Sequence, residues 1–244
     1  MVCPGFGNHH AAGAASAPDQ TDREKNMKII THIALVTTLL MPVTLAFAGP
    51  SVDVTVTGSI VPGGCTPSLS NAQFDHGRLY ARELSAASAT LFSDRQRSAT
   101  LNINCEAATL YALRAVDNRA DSVLDDTDNT RFGLGMTGND EKIGSYRLRV
   151  VSDTSTIDGK PAFLTVGNAA GTTWATSEQR TRSLRNNGQL LGLTDASGTD
   201  TGPVAVKDAV MMLTSTLTIA PADSLTLDSE IQLQGAATLE LVYL

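Results

Sequence analysis

The sequence predicts an all-β chain, an antiparallel sandwich or barrel, and three observations carry that expectation. Apolar and polar residues alternate with a period of two in most of its well-defined segments. Clusters of Gly, Asn, Asp and Ser separate those segments at short intervals, notably 117–129, 137–141 and 194–202. No segment sustains the 3.6-residue period of a helix, and only Ala81–Ala89 could make a short helical turn. Thr and Ser fill most polar positions, which suits pleated surfaces with one wet face.

The 244 residues divide before any strand begins. Residues 1–26 are poor in apolar side chains and aperiodic, and read as an over-extended start or a disordered leader; Cys3, His9 and His10 are set aside with them. Residues 27–48 read as a secretory signal peptide. Met27-Lys28 gives a basic start, an apolar run extends from Ile29 to Leu45, and Ala46-Phe47-Ala48 is a small-residue cleavage pattern. Pro42 interrupts the run and no basic cluster follows it, which argues against a membrane anchor. The folded part is then expected over 49–244, long enough for one domain with a sizeable core.

The first strand of that part is Val52-Asp53-Val54-Thr55-Val56-Thr57-Gly58-Ser59-Ile60, an unbroken alternation with no hairpin partner before it. Its partner must be distant in its own chain or in another molecule. Ala99–Cys105 alternates next, with Leu101, Ile103 and Cys105 on one face; Leu110–Val116 follows after a short turn. Ser145–Val150 puts Tyr146, Leu148 and Val150 on one side and two arginines on the other. Val210–Ile219 begins as an apolar run and then alternates; Leu225, Leu227, Ile231 and Leu233 continue the theme. Ala237–Leu244 closes the chain, with Ala237, Leu239, Leu241 and Tyr243 on one face. Residues 154–206 show little strand character beyond Ala162–Val166, and are expected to be long loops or an insertion with a surface hairpin.

The formal charge of −7 belongs wholly to the folded part, since the leader and signal peptide hold three basic and three acidic residues. An acidic chain argues against nucleic acid and against an anionic membrane surface as partners. Cys65 and Cys105 are the two cysteines left in an exported chain, so a disulfide is the expected state rather than free thiols or a redox pair. Metal binding is disfavoured, because His76 is the one histidine left.

Motifs that could carry chemistry are weak. Asp200-Thr201-Gly202 matches the short aspartic-protease signature, but that reaction needs two such carboxylates sharing a proton and no second triplet exists. Asp121, Asp125, Asp126, Asp128 and Asn129 lack the mid-loop Gly and terminal Glu of a calcium loop and read as a solvated acidic turn. A Ser-His-Asp hydrolase would have to use His76 beside Asp75, with no Gly-x-Ser-x-Gly to support it. Phe132-Gly133-Leu134-Gly135 is too short for a phosphate cradle, and Trp174 serves equally well as a ligand-stacking residue or a loop anchor. No catalytic residue, metal site or cofactor is expected.

Both ends of the folded part are thus alternating strands. The run Val54-x-Val56-x-Gly58-x-Ile60-Val61-x-x-x-Cys65, the second cysteine forty positions later and the penultimate Tyr243 together resemble chaperone–usher fimbrial subunits (pilins), most closely the β-type fimbrial subunits. The resemblance covers the two ends and the cysteine frame, not the middle from about 117 to 207. The chain departs from that family at Ile231, where a glycine is usual, and in the short stretch Gly49-Pro50-Ser51 before the first strand. The resemblance implies an incomplete immunoglobulin-like antiparallel β-sandwich over 62–244, completed by a donor strand from another subunit. Residues 49–61 would be the donor segment, with Val52, Val54, Val56, Gly58 and Ile60 as its inward positions. Ala237, Leu239, Leu241 and Tyr243 would line the acceptor groove. The implied partners are a periplasmic pilus chaperone, an outer-membrane usher and other copies or related fimbrial subunits, with no nucleic acid. The expected function is non-enzymatic: a structural subunit exported through the periplasm, polymerising by donor-strand exchange into a surface fimbrium and contributing to adhesion. A fimbrial tip adhesin and a secreted monomeric β-sandwich binding module are the alternatives.

Overall fold

A computed structural model describes residues 64–244 together with Thr55 and Thr57, and within it every strand pairing is antiparallel. The expected leader and signal peptide, and all of the expected donor segment but Thr55 and Thr57, lie outside the described residues. The first sheet runs in the order β1 (Cys65–Leu69), β2 (Thr90–Thr109), β11 (Val206–Ile219), β5 (Gly144–Ile157), β4 (Phe132–Gly133), and the short β6 (Lys160–Pro161) and β9 (Thr181–Ser183) also pair with β5. The second runs β12 (Ala237–Tyr243), β3 (Tyr111–Asp117), β10 (Leu190–Thr194), β7 (Phe163–Gly167), β8 (Trp174–Ser177). Among the described residues, helix is confined to 3-10 turns at Ala81–Glu83, Ala120–Ser122 and Ala222–Ser224.

The predicted alternation is what fills the space between the sheets. Ala99, Leu101, Ile103 and Cys105 of β2, Leu148 and Val150 of β5, and Met211, Leu213 and Leu217 of β11 are buried from one side; Leu113, Leu164 and Leu191 meet them from the other. Cys65 and Cys105 face each other across β1 and β2 and form the expected disulfide. Flanking bonds from Glu106 N–H to the Gly64 carbonyl and from Ser70 N–H to the Thr100 carbonyl place that pair at a narrow, non-hydrogen-bonded position.

Two expectations need correction, and one is met. Residues 154–206, read as loops or an insertion, contribute β7 and β10 to the middle of the second sheet. Leu190, Leu191, Gly192, Leu193 and Thr194 are all buried, so that strand shows an apolar run and no period of two. The cover on its outer face is Trp174: a side chain added at Gly167 or Gly192 would strike the indole ring. Residues 225–233, read as strand, form none. Thr226 is tied to the Glu141 carboxylate and Gln234 N–H donates to the Leu134 carbonyl, so the segment crosses between sheets instead of joining a ladder. Ala81–Ala89 makes a single 3-10 turn, with the Glu83 carboxylate accepting from Tyr80 N–H.

Candidate functional site: an open sheet edge

β12 ends the second sheet and pairs only with β3 among the described residues. The bonds that flank this ladder, Asn118 N–H to the Ala236 carbonyl and Leu244 N–H to the Leu110 carbonyl, fix its phase. Thr238, Glu240 and Val242 therefore turn their backbone groups toward β3, and Ala237, Leu239, Leu241 and Tyr243 turn theirs to the free edge. Four N–H and four C=O groups are presented there. Ala237, Leu239 and Leu241 of this row pack their side chains on the core, while Tyr243 is exposed.

β1 ends the first sheet. Among the described residues it pairs with β2 alone, and its continuation stays beside β2 through side-chain bonds: Arg97 Nε donates to the Asp75 carbonyl, and an Arg95 amino group donates to the Arg78 carbonyl. The two edges meet at one pole, where Cys65 N–H donates to the Tyr243 hydroxyl at 3.1 Å. Just after β11, the Ala222 and Asp223 N–H groups donate to the Ser85 and Ala86 carbonyls of the segment leading into β2. Leu69, Phe74, Leu79 and Leu84 on the β1 side, Leu225 and Ile231 before β12, and Ala237, Leu239 and Leu241 within it are partly buried and pack on the core. Apolar side chains beside a backbone row that is unpaired among the described residues make an edge that can take an added strand.

The sequence named the β12 edge and missed the wall formed by 70–85. Phe74, Leu79 and Leu84 carry no period of two, because that segment runs beside β2 without a regular ladder. The proposed donor residues Val52, Val54, Val56, Gly58 and Ile60 lie outside the described residues.

His76 sits inside the missed wall and is buried. Its Nδ1 lies 3.0 Å from the Arg95 carbonyl and its Nε2 lies 3.1 Å from Ser215 Oγ. Burial holds its pKa below the ordinary value, aided by nearby Arg97 and opposed by the Arg95 carbonyl and Asp75. A serine does stand beside the one histidine of the folded part, but Asp75 accepts from Gly77 N–H, and a backbone carbonyl takes the orienting place on the ring. Ser215 is itself 2% exposed.

The other candidates have local partners. Asp128 is paired with Arg131 at 3.2 Å and bonded to Arg147. Burial opposes its ionisation, yet bonds from Thr130 and Arg147 hold its carboxyl well below the usual carboxylate range. Asp200 lies in a loop whose Gly202 abuts the Trp174 ring. Trp174 Nε1 donates to the Gly171 carbonyl at 3.0 Å, which fixes the indole over the glycines as an anchor.

Three similarities bear on this site. A family described as "Protein of unknown function (DUF1120)" matches residues 54–131, a span that begins inside the expected donor strand and runs through β1, β2 and β3. The chain is 27% identical to Protein GltF of Escherichia coli (strain K12) over 258 aligned residues, 89% of this chain and 98% of GltF. It is 29% identical to Uncharacterized protein YhcF of the same organism over 220 aligned residues, 80% of this chain and 90% of YhcF.

Proposed function

We propose that this protein is a non-enzymatic structural subunit of a surface fimbria, assembled when a neighbour's N-terminal strand fills the cleft beside β12. The observation that carries the reading is the phase of that edge. Ala237, Leu239 and Leu241 combine outward backbone groups with side chains packed on the core, and Tyr243 extends the backbone row, so one incoming strand would complete both the ladder and the core. Eight backbone groups, each worth roughly 1 kcal/mol net when bonded, would make a tenacious joint. Val52, Val54, Val56 and Ile60 supply apolar side chains at the matching period of two, and Gly58 leaves room at one position. The pilin resemblance adds the setting: export, a chaperone that covers the cleft before assembly, an usher that directs exchange, and an adhesive fibre. The immunoglobulin-like completion by a donor strand is part of the same proposal.

The test is an unheated SDS gel of the protein co-expressed with its chaperone and usher. A ladder of multiples that collapses on boiling, and that is lost when residues 49–60 are deleted, is the expected result. A stable monomer in both preparations, indifferent to the chaperone, would overturn the proposal in favour of a self-complete binding module.

A further inference from the structure

The cleft wall formed by 70–85 is fastened by a group that changes charge near neutral pH. Residues 70–85 make no regular ladder with β2, so discrete side-chain bonds hold the wall in place. One of these reaches across the interior: His76, 7% exposed, bonds to the Arg95 carbonyl of β2 and to Ser215 Oγ of β11. A carbonyl 3.0 Å from Nδ1 accepts a proton held on that nitrogen, and in the neutral ring Nε2 then accepts from the Ser215 hydroxyl. A second proton would make Nε2 a donor and force the buried Ser215 hydroxyl to redirect its own hydrogen, in a site that already disfavours charge.

We infer that His76 is a proton-operated latch of the cleft wall: neutral, it pins 70–85 against β2 and β11; protonated, it lets that wall open. The ionisable groups around it set the balance. Asp75 is its chain neighbour and favours the charged ring, but its carboxylate is occupied by Gly77 N–H. Arg97 of β2 opposes the charge, while Arg95 is engaged by Glu83 and by the Arg78 carbonyl. β11 contributes no ionisable side chain between Ala209 and Ala222.

The sign follows from linkage. The native ring is harder to protonate than the unfolded one, so the latch contributes its full stability above the ordinary histidine value of about 6.5. That contribution falls as pH drops below this value and levels off beneath the depressed native value. A single proton steepens local opening by at most about tenfold per pH unit across that window.

This inference rests on the wall's geometry, not on polymerisation, and amide hydrogen exchange of the full-length protein between pH 7.5 and 5 tests it. Rates corrected for intrinsic pH dependence should show opening of residues 74–79 growing as pH falls, while β3 and β10 stay constant. In His76→Gln, whose amide can donate to the carbonyl and accept from the serine, the same profile should be flat. A flat profile in the unaltered protein, or an equal slope in His76→Gln, would overturn the latch. Should that variant fail to fold, NMR titration of the His76 ring in the unaltered protein decides. A ring pKa below 6.5 that coincides with wall opening supports the latch, and an ordinary titration without opening overturns it. The assembly ladder at neutral pH is a separate readout: its absence would count against the fimbrial proposal and leave the latch standing.

Discussion

Replacing both Cys65 and Cys105 with alanine removes the covalent tie between β1 and β2, and the expected cost can be worked from the chain. The bridge spans 40 positions, for which the loop-entropy account gives about 4 kcal/mol at room temperature. That is a large part of the 5–15 kcal/mol that typically holds a domain together. With a urea dependence of about 2 kcal/mol per M, the unfolding midpoint should fall by roughly 2 M. Trp174, the one tryptophan of the chain, sits over the second sheet and reports the global transition by fluorescence. Hydrogen exchange should add a local signature. β1 is five residues long and, among the described residues, pairs on one side only, so its amides should lose protection before those of β11, which is paired on both sides. A fall of less than about 1 kcal/mol would refute the idea that the bridge secures this edge, and would mean that the unbridged chain is already restrained.

Three further outcomes follow from the surroundings of single residues. Gly133→Ala would drive a methyl group into the Arg119 carbonyl and the Ser122 hydroxyl, and should cost about 1–3 kcal/mol, seen as a lower thermal midpoint. Gly138→Ala meets nothing within 4 Å and should stay within about 0.5 kcal/mol. Asp128→Asn removes a carboxylate whose native pKa is depressed, a contribution present above the ordinary aspartate value near 4 and lost as pH falls through the native one. The variant should be less stable at neutral pH by roughly 1–2 kcal/mol, its ion pairs being partly screened, and its stability should change less between pH 5 and 2 in denaturant titrations.

What could be read from the residues, and what could not, depends on how many faces of a strand are covered. β2, β3, β5, β11 and β12 each contain a stretch with one side against the core, so part of their sequence alternates and announces them. Thr90–Ser98 of β2 was not foreseen, because its polar residues are held by backbone pairing with β11 and by arginine bonds to the neighbouring segment. β10 escaped for the opposite reason: Trp174 covers its outer face, and the alternation disappears into an apolar run. Leu225–Leu233 had the pattern without the partner, since its backbone is spent on crossing between sheets. The cleft itself was half legible. Its β12 side follows from the closing alternation, whereas Leu69, Phe74, Leu79, Leu84 and His76 are brought to the other side by tertiary bonds that no local pattern encodes.

The claim at the centre of this account is that assembly adds a strand to the outer edge of β12, and residue-resolved hydrogen exchange along that strand tests it directly. The N–H groups of Thr238, Glu240 and Val242 already face β3, while those of Leu239, Leu241 and Tyr243 face outward. In dispersed subunits with an unfilled cleft, the outward three should exchange quickly and the inward three slowly. In assembled material both sets should be slow, and the alternation should vanish. Outward amides that exchange as fast in assembled material as in single subunits would contradict strand addition at this edge.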